Sequence, residues 1–373
     1  MTRPALEFVL PGDVDDPRSP SGGNTYGRRV AAELDALGWR VARRLVPGGW
    51  PRPDAAAEAG LAQVLDPVPD GGIVLLDGLV AAGVPQVIGP HATRLRLVVL
   101  VHLPLADEAG LPAAVAAELD ARERTTLSAA AAVVVTSTEA ARRLAGHGLA
   151  AVFVAEPGTD PAPPATGTDG ASALLCVAAV TPVKGHDVLV DALASVADQP
   201  WSCVCAGPLD RAPGHVAALR ERIARAGLEE RVRLVGPLDP AALDDAYAAS
   251  DLAVLASSTE TYGMVVAEAL ARGIPVVTTT GGALPDTVGR APDGTRPGLL
   301  VPPGDPTALA AALRRWFTEP ALRTRLRAAA LARAAALPGW DATGAAVSAA
   351  LDATLAATPH RGSSLLESQG GAA

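Results

Sequence analysis

Two glutamates, Glu260 and Glu268, stand eight residues apart with a glycine, Gly263, between them. The short apolar run at 252–256 before them reads as a buried strand that ends in the small polar pair Ser257 and Ser258. From about 262 to 272 the pattern is helical. Gly273 sits where a helix C-cap glycine belongs, and Pro275 blocks continuation. Residues 274–279 then read as the next strand. In a strand, tight turn, helix and strand, Glu260 lies on the loop at the helix mouth and Glu268 about two turns in. The backbone N–H groups of Tyr262, Gly263, Met264 and Val265 are orphan donors at the helix start, and Gly263 leaves room for close approach. This is an anion site suited to a phosphate. A phosphate flanked by two carboxylates fits a sugar nucleotide, with its hydroxyls on the acids.

The basic residues sharpen the picture. The chain has 31 Lys plus Arg, yet Lys184 is its sole lysine, and Asn24 its sole asparagine. A chain so biased toward arginine that keeps one lysine points to a need there for a compact ammonium. Lys184 falls on the turn between an expected strand, 174–180, and an expected helix, 186–196. His102 closes a strongly apolar strand, 95–103, and a residue at the C-terminal end of such a strand faces the ligand crevice of an open α/β sheet. The ordinary alternative for a lone histidine is a satisfied core residue. Near the start, a strand at 6–11 leads through a loop holding Gly22, Gly23 and Asn24 to a helix at 25–37. That is a second anion-friendly turn, though without a Gly-x-Gly-x-x-Gly fingerprint. Asp13 and Asp15, an Asp-x-Asp pair, read as part of a solvated loop rather than a metal site.

Together these stretches resemble the retaining glycosyltransferases of the family-four type, the glycosyl transferases group 1, which have the GT-B fold. The resemblance spans about residues 5–357 and is strongest over 174–312. Glu260 and Glu268 have the spacing of the Glu-x7-Glu signature, and the Ala-Leu-Ala-Arg-Gly-Ile-Pro-Val-Val run after Glu268 also fits. Val180-Thr-Pro-Val-Lys-Gly-His-Asp resembles the family's Gly-Arg-x-x-x-x-Lys-Gly motif, in which the lysine binds the donor diphosphate; Lys184 takes that place. The motif's Gly-Arg pair falls on Ala178 and Ala179, so its arginine is missing, with Arg211 and Arg272 as candidate substitutes. The Gly281-Gly-Ala-Leu-Pro-Asp run resembles a Gly-Gly-x-x-Glu loop with one extra residue and Asp for Glu.

The resemblance implies an α/β chain of two Rossmann-like domains facing across a cleft. Residues 1–160 would form the acceptor domain, 161–172 a linker and 173–339 the nucleotide-sugar donor domain. A last helix, 340–357, would cross back onto the first domain, ahead of a disordered tail at 358–373. Glu260 would hold donor sugar hydroxyls, Glu268 the ribose, and His102 the sugar from the opposite domain. Gly22 and Gly23 would lie near the donor phosphates, Leu238 near the base, and Asn24 toward the acceptor. Transfer would retain configuration by front-face attack, with the diphosphate as base. It would need no metal and no cofactor beyond the nucleotide sugar as co-substrate.

Composition sets outer limits. A chain of 373 residues suits two domains, and with aromatics at 3% the cores must be built from Ala, Val and Leu. A net charge of −9 argues against nucleic acid as a partner. No apolar run reaches membrane-spanning length and the N-terminus lacks a signal layout, so a cytoplasmic setting is expected. Residues 1–160 carry 14 Arg against 19 Asp plus Glu, which favours a soluble small acceptor over a lipid surface, although Arg28, Arg29, Arg43 and Arg44 form a local basic face. Cys176, Cys203 and Cys205 are expected as buried thiols, the Cys-x-Cys pair lacking partners for a metal. A short element opens at 85–88. Glu118, Asp120 and Glu123 are expected on the solvated face of a helix at 111–131, and 309–335 reads as one helical region. Three rival functions fit part of the pattern: a nucleotide-sugar epimerase, a pyridoxal-dependent phosphorylase, and a non-catalytic nucleotide-sugar-binding protein suggested by Ala179. Intact Glu260, Glu268 and Lys184 weigh against the last.

Overall fold

The structure is a computed structural model that describes residues 3–16, 20–108, 110–149 and 151–357; the expected tail at 358–373 lies outside them. The first half alternates β1 (Ala5–Pro11), α1 (Gly22–Ala36), β2 (Arg40–Val46), α2 (Ala55–Leu65), β3 (Ile73–Asp77), α3 (Gly78–Ala81), α4 (Pro85–Ala92), β4 (Arg96–Val101), α5 (Ala113–Ala129), β5 (Ala132–Val135), α6 (Thr138–Leu144) and β6 (Val152–Val154). The second half repeats the plan with β7 (Ala173–Val177), α7 (His186–Ala194), β8 (Ser202–Ala206), α8 (Pro213–Arg225), β9 (Val232–Gly236), α9 (Pro240–Ala248), β10 (Leu252–Leu255), α10 (Met264–Ala271), β11 (Val276–Thr279), α11 (Leu284–Val288), β12 (Gly298–Val301), α12 (Pro306–Thr318), α13 (Pro320–Ala334) and α14 (Trp340–Ala356).

Each half folds its strands into a six-stranded sheet, ordered β2-β1-β3-β4-β5-β6 and β12-β11-β10-β7-β8-β9, with every pairing parallel. A parallel sheet is covered by helices on both faces, so its central strands are apolar throughout. All five residues of β3 are buried for this reason. The switch in strand order opens a crevice at the C-terminal ends of both sheets. Among the described residues no helix is long and apolar enough to cross a membrane.

Helix α14 leaves the second half and packs on the first. Trp340, Val347, Ala350 and Leu351 share a core with Leu6 and Phe8 of β1 and with Val30 and Leu34 of α1. The Trp39 indole N–H donates to Ser348 Oγ at 3.0 Å. The Arg96 guanidinium donates to the Thr354 carbonyl at 2.9 Å and to that of Leu355, placing a cation at the end of the helix where the dipole favours one.

Several local expectations are corrected. Helix α1 starts at Gly22 because Ser21 caps it, its Oγ accepting from the Asn24 N–H at 3.0 Å; Gly22, Gly23 and Asn24 are a first helical turn, not a loop. The element at 85–88 opens a helix, α4, with Pro85 in its first turn. The region 309–335 breaks into α12 and α13 at Pro320, which has no N–H to continue the first helix. Glu123 does not join a solvated face. It is 1% exposed, and its Oε1 accepts from the Leu105 N–H at 3.3 Å. Burial, aided by Asp120 and Asp107, pushes its carboxyl up to about 7. Helix α5 is alanine-rich and carries no sharp apolar stripe, so periodicity misassigned its faces.

The segment between the halves is tied down by one acid. Asp251, 1% exposed, accepts from the N–H groups of Thr168 at 2.9 Å, Gly170 at 3.1 Å and Ala173 at 3.0 Å, and from Thr168 Oγ1 at 2.6 Å. The Cys-x-Cys pair also has neighbours after all. Register pairs Cys205 with Cys176, and His186 opens α7 beside them, so that the three potential ligand atoms lie within 4.8 Å of one another. The adjacent Cys205 thiol and burial hold the Cys176 pKa well above the ordinary thiol value, and protonated thiols of this kind pack as small hydrophobes.

Candidate functional site

The crevice between the halves is a cavity of about 350 Å³. Its second-half wall is built on the exit of β10. Thr278 Oγ1 donates to the Leu255 carbonyl at 2.8 Å and Thr279 Oγ1 to that of Ser257 at 2.6 Å, fixing the strand end. Gly281 lies so close that a Cβ there would meet the Ser258 carbonyl, and the Ala283 N–H donates to the Glu260 carbonyl at 2.8 Å. The loop carrying Glu260 is therefore held from below. Lys184 ends a short 3₁₀ turn, Pro182–Lys184, that is stapled to the same strand exit. The Ser258 N–H donates to the Val183 carbonyl at 2.7 Å. Gly185 follows at φ +64°, packed where a Cβ would strike the Ala256 carbonyl. The result is an ion pair, Lys184 Nζ to Glu260 Oε1 at 2.6 Å, with Ser257 Oγ donating to the same oxygen at 2.7 Å. The Glu260 side chain is 12% exposed, so the pair is largely out of water.

Helix α10 begins later than its sequence implied. Gly263, at φ +86°, is its N-cap, and Met264 and Val265 occupy the first turn. Their N–H groups have no preceding helical carbonyl to bond, which leaves them as the donors at this helix end. The Tyr262 phenol is buried, and that burial pushes it up to about 12. One further turn along, Glu268 Oε2 accepts from the Tyr247 hydroxyl at 2.8 Å. Burial raises the Glu268 pKa, against the hydrogen bond from Tyr247. Arg272 supports this acid from behind: it donates to the Glu268 carbonyl at 3.0 Å, pairs with Asp244 and lies 4.5 Å over the Tyr247 ring.

The first-half wall centres on His102, just past the end of β4. Its Nε2 is 3.1 Å from Asp77 Oδ2, and Asp77 is 3% exposed at the end of the neighbouring strand β3. The other Asp77 oxygen caps α3 by accepting from the Leu79 N–H at 2.8 Å. An Nε2–H facing this carboxylate orients the imidazole toward the cavity. The Tyr26 ring meets the imidazole edge-on at 5.1 Å. Gly23 lies against the same ring, where an added Cβ would come within 3.4 Å of it. An added Cβ on Gly22 would lie 3.4 Å from Met264 Sδ, so the starts of α1 and α10 face each other across the cavity. Two helix N-termini converging on one space favour an anion between them.

Of the residues singled out by sequence, Gly22, Gly23, His102, Lys184, Leu238, Glu260, Tyr262, Gly263, Met264, Val265 and Glu268 all line this cavity. Asn24 is not among the lining residues; its side chain reaches the Asp13 carbonyl at 3.4 Å. Asp15 is engaged by Arg43 at 2.7 Å. Of the two candidate arginines, Arg211 lines the cavity and Arg272 does not. Asp77, Ser257 and Tyr247 escaped sequence reasoning. For Asp77 a signal existed, since an acid ending an apolar strand belongs on the same sheet edge as His102.

Fold and site together define a two-domain GT-B protein. Residues 164–333 match the family model described as glycosyl transferases group 1. The chain is 35% identical over 237 residues to a D-inositol 3-phosphate glycosyltransferase of Kineococcus radiotolerans, covering 56% of this chain and 54% of that protein. A protein of the same description from Streptosporangium roseum is 37% identical over 182 residues, 47% of this chain and 41% of the relative. The chain thus spans about half the length of the curated relatives it matches. Among solved structures, sucrose-phosphate synthase from Thermosynechococcus elongatus superposes with a TM-score of 0.75 at 21% identity over 95% of this chain and 100% of that one. Anabaena HepE in complex with UDP-glucose gives 0.73 at 18% identity over 94% and 99%. At such identities these two bear on the fold.

Proposed function

We propose that the protein is a glycosyltransferase that moves a sugar from a nucleotide diphosphate to an acceptor hydroxyl, with retained configuration and without a metal. The observation that carries this reading is the convergence on one cavity of the Lys184–Glu260 pair and two facing helix starts. In the transfer, the bond between the sugar's anomeric carbon and the diphosphate oxygen breaks, and negative charge grows on that oxygen. Lys184 and the first-turn N–H groups of α10 stabilise it as preorganised charge. The acceptor oxygen attacks from the same face, and its proton passes to the departing diphosphate. Glu260, held by Ser257 and Lys184, retains acceptor capacity for sugar hydroxyls, and Glu268, held by Tyr247, for the ribose. His102, fixed by Asp77, meets the sugar from the other wall.

The acceptor is proposed to be a soluble small molecule, and inositol phosphates head the screen because the aligned relatives bear that name. The buried free cysteines fit a reducing, cytoplasmic setting. The first test is thermal stabilisation by UDP-, GDP- and ADP-sugars against their bare diphosphates, since a ligand bound to the native state raises its melting temperature. One nucleotide series is expected to stabilise. The anomer of the transferred sugar, read by NMR in the presence of a chelator, then reports retention and metal independence. Inverted product or loss of turnover on chelation sinks those parts of the proposal, and conversion of a donor without acceptor turns the reading toward an epimerase.

A further inference from the structure

We infer that Arg211 is the second cation of the diphosphate site. The inference rests on the glycosyltransferase reading above and goes beyond it in assigning a residue that no motif marks. It starts from charge balance. Lys184 is paired with Glu260 at 2.6 Å, so the two side chains together bring almost no net charge to the cavity. A nucleoside diphosphate brings at least two negative charges. The helix starts supply only partial positive charge, about half a unit each. A full positive charge is still needed. Among the described residues that line the cavity, Lys184 and Arg211 are the lysines and arginines present, and Arg211 has no carboxylate partner.

Placement agrees with charge. Arg211 sits on the loop between β8 and α8, and that loop runs beside the segment leading to Lys184. The Ala178 N–H donates to the Ala206 carbonyl at 2.9 Å and the Val180 N–H to the Pro208 carbonyl at 2.9 Å. Gly207 makes the approach possible: its φ is +152°, and a Cβ there would collide with the Ala178 carbonyl. Arg211 therefore borders the 178–180 stretch, where Ala178 and Ala179 themselves offer no charge. Its guanidinium is exposed and spans the crevice to donate to the Pro20 carbonyl at 2.8 Å, two residues before the start of α1. That contact holds only one of its N–H groups. A guanidinium has five donors in a planar fork suited to two phosphate oxygens at once, so the remaining donors are available to a diphosphate lying between the helix starts.

The test compares wild type, Arg211→Gln, Arg211→Lys and Lys184→Ala by calorimetric titration with UDP, GDP and ADP and with the matching monophosphates. Arg211→Gln is expected to bind the cognate diphosphate roughly 10- to 100-fold more weakly, the scale of one charge-assisted hydrogen-bond pair. Monophosphate binding should fall far less, which separates loss of a phosphate contact from general damage to the cleft. Arg211→Lys should recover part of the loss, as a point charge without the fork. Because the Arg211 side chain is exposed, melting curves of the two Arg211 variants without ligand should match wild type. Undiminished diphosphate affinity in Arg211→Gln, alongside a clear loss in Lys184→Ala, overturns the assignment and leaves the glycosyltransferase reading standing. An equal loss for monophosphate and diphosphate assigns Arg211 a structural role and overturns it too. If no diphosphate binds the wild type, the wider reading falls and this inference falls with it.

Discussion

The Lys184–Glu260 pair sets the energetics of the site at the level of single residues. Replacing Lys184 with Ala removes the cation and also leaves the Glu260 carboxylate, 12% exposed, with Ser257 as its remaining hydrogen-bond donor among the described contacts. Both effects oppose a diphosphate. We expect kcat/KM to fall roughly 10²–10³-fold, as for loss of an oxyanion donor. A second change, Glu260→Gln, should recover part of the diphosphate affinity by removing the stranded charge, yet recover no turnover. Wild-type turnover in Lys184→Ala would remove the lysine from the mechanism. Asp77→Asn is the matching change on the other wall. The amide can still cap Leu79, but it cannot serve as the carboxylate acceptor for His102 Nε2–H. Misorientation of a ligand-facing group costs about 10²-fold, so turnover should drop on that scale with an unchanged melting temperature. If the melting temperature falls in step with activity, Asp77 is a cap and not a positioning residue. The positions of Glu260, Lys184 and His102 on the cavity wall were legible because each sits at a strand exit or helix mouth that hydrophobic pattern can place, and that of Glu268 because it lies within the helix that follows. Their supports were not. Asp77 reaches His102 through strand register, and Tyr247 reaches Glu268 across 21 residues, neither of which leaves a local mark.

At the level of elements, legibility follows how strongly an element's environment writes itself into sequence. Buried parallel strands are apolar on both faces, so β3, β4, β10 and β11 stand out as short runs. Helix starts are subtler: a single Ser21 hydroxyl moves α1 three residues toward the N-terminus, and a left-handed Gly263 moves α10 two residues later. Alanine-rich α5 is the least legible, and Glu123 carries a measurable consequence. Its carboxyl is raised from 4.5 to about 7 by burial, so over that pH range the folded chain holds a proton that the unfolded chain has released. With more protons bound when folded, stability falls as pH rises through the window and levels off above it, by about 3 kcal/mol. Glu123→Gln keeps the acceptor for the Leu105 N–H and cannot ionise. Relative to wild type, its melting temperature should gain steadily between pH 4.5 and 7 and hold constant beyond. A difference that does not change with pH would mean that the Asp120, Asp107 and Arg143 charges around Glu123 leave it with no net shift.

At the scale of the whole molecule, the chain passes between domains twice, and the two passages touch. The Thr159 N–H donates to the Pro338 carbonyl at 2.9 Å, and Thr343 Oγ1 donates to the Glu156 carbonyl at 2.7 Å. Gly158 lies directly on the backbone of Trp340, where a Cβ would come nearer to the Trp340 N and Cα than real Cβ atoms approach. Trp340 in turn packs edge-on against Tyr26 at 5.9 Å, and Tyr26 packs against His102 at 5.1 Å. The crossing point is thereby in continuous contact with the cleft wall. Gly158→Ala must push the two passages apart, at a cost of about 1–3 kcal/mol for an overpacked contact. If cleft closure turns on this point, kcat and KM for the acceptor should change together, the signature of a hinge variant. Diphosphate affinity should stay close to wild type, because Lys184, Arg211 and the start of α10 all belong to the second domain. Calorimetric titration with the diphosphate beside steady-state kinetics separates the two quantities. A variant that loses diphosphate affinity and turnover in equal measure would show that the crossing supports the donor wall itself, and not the motion that brings His102 to it.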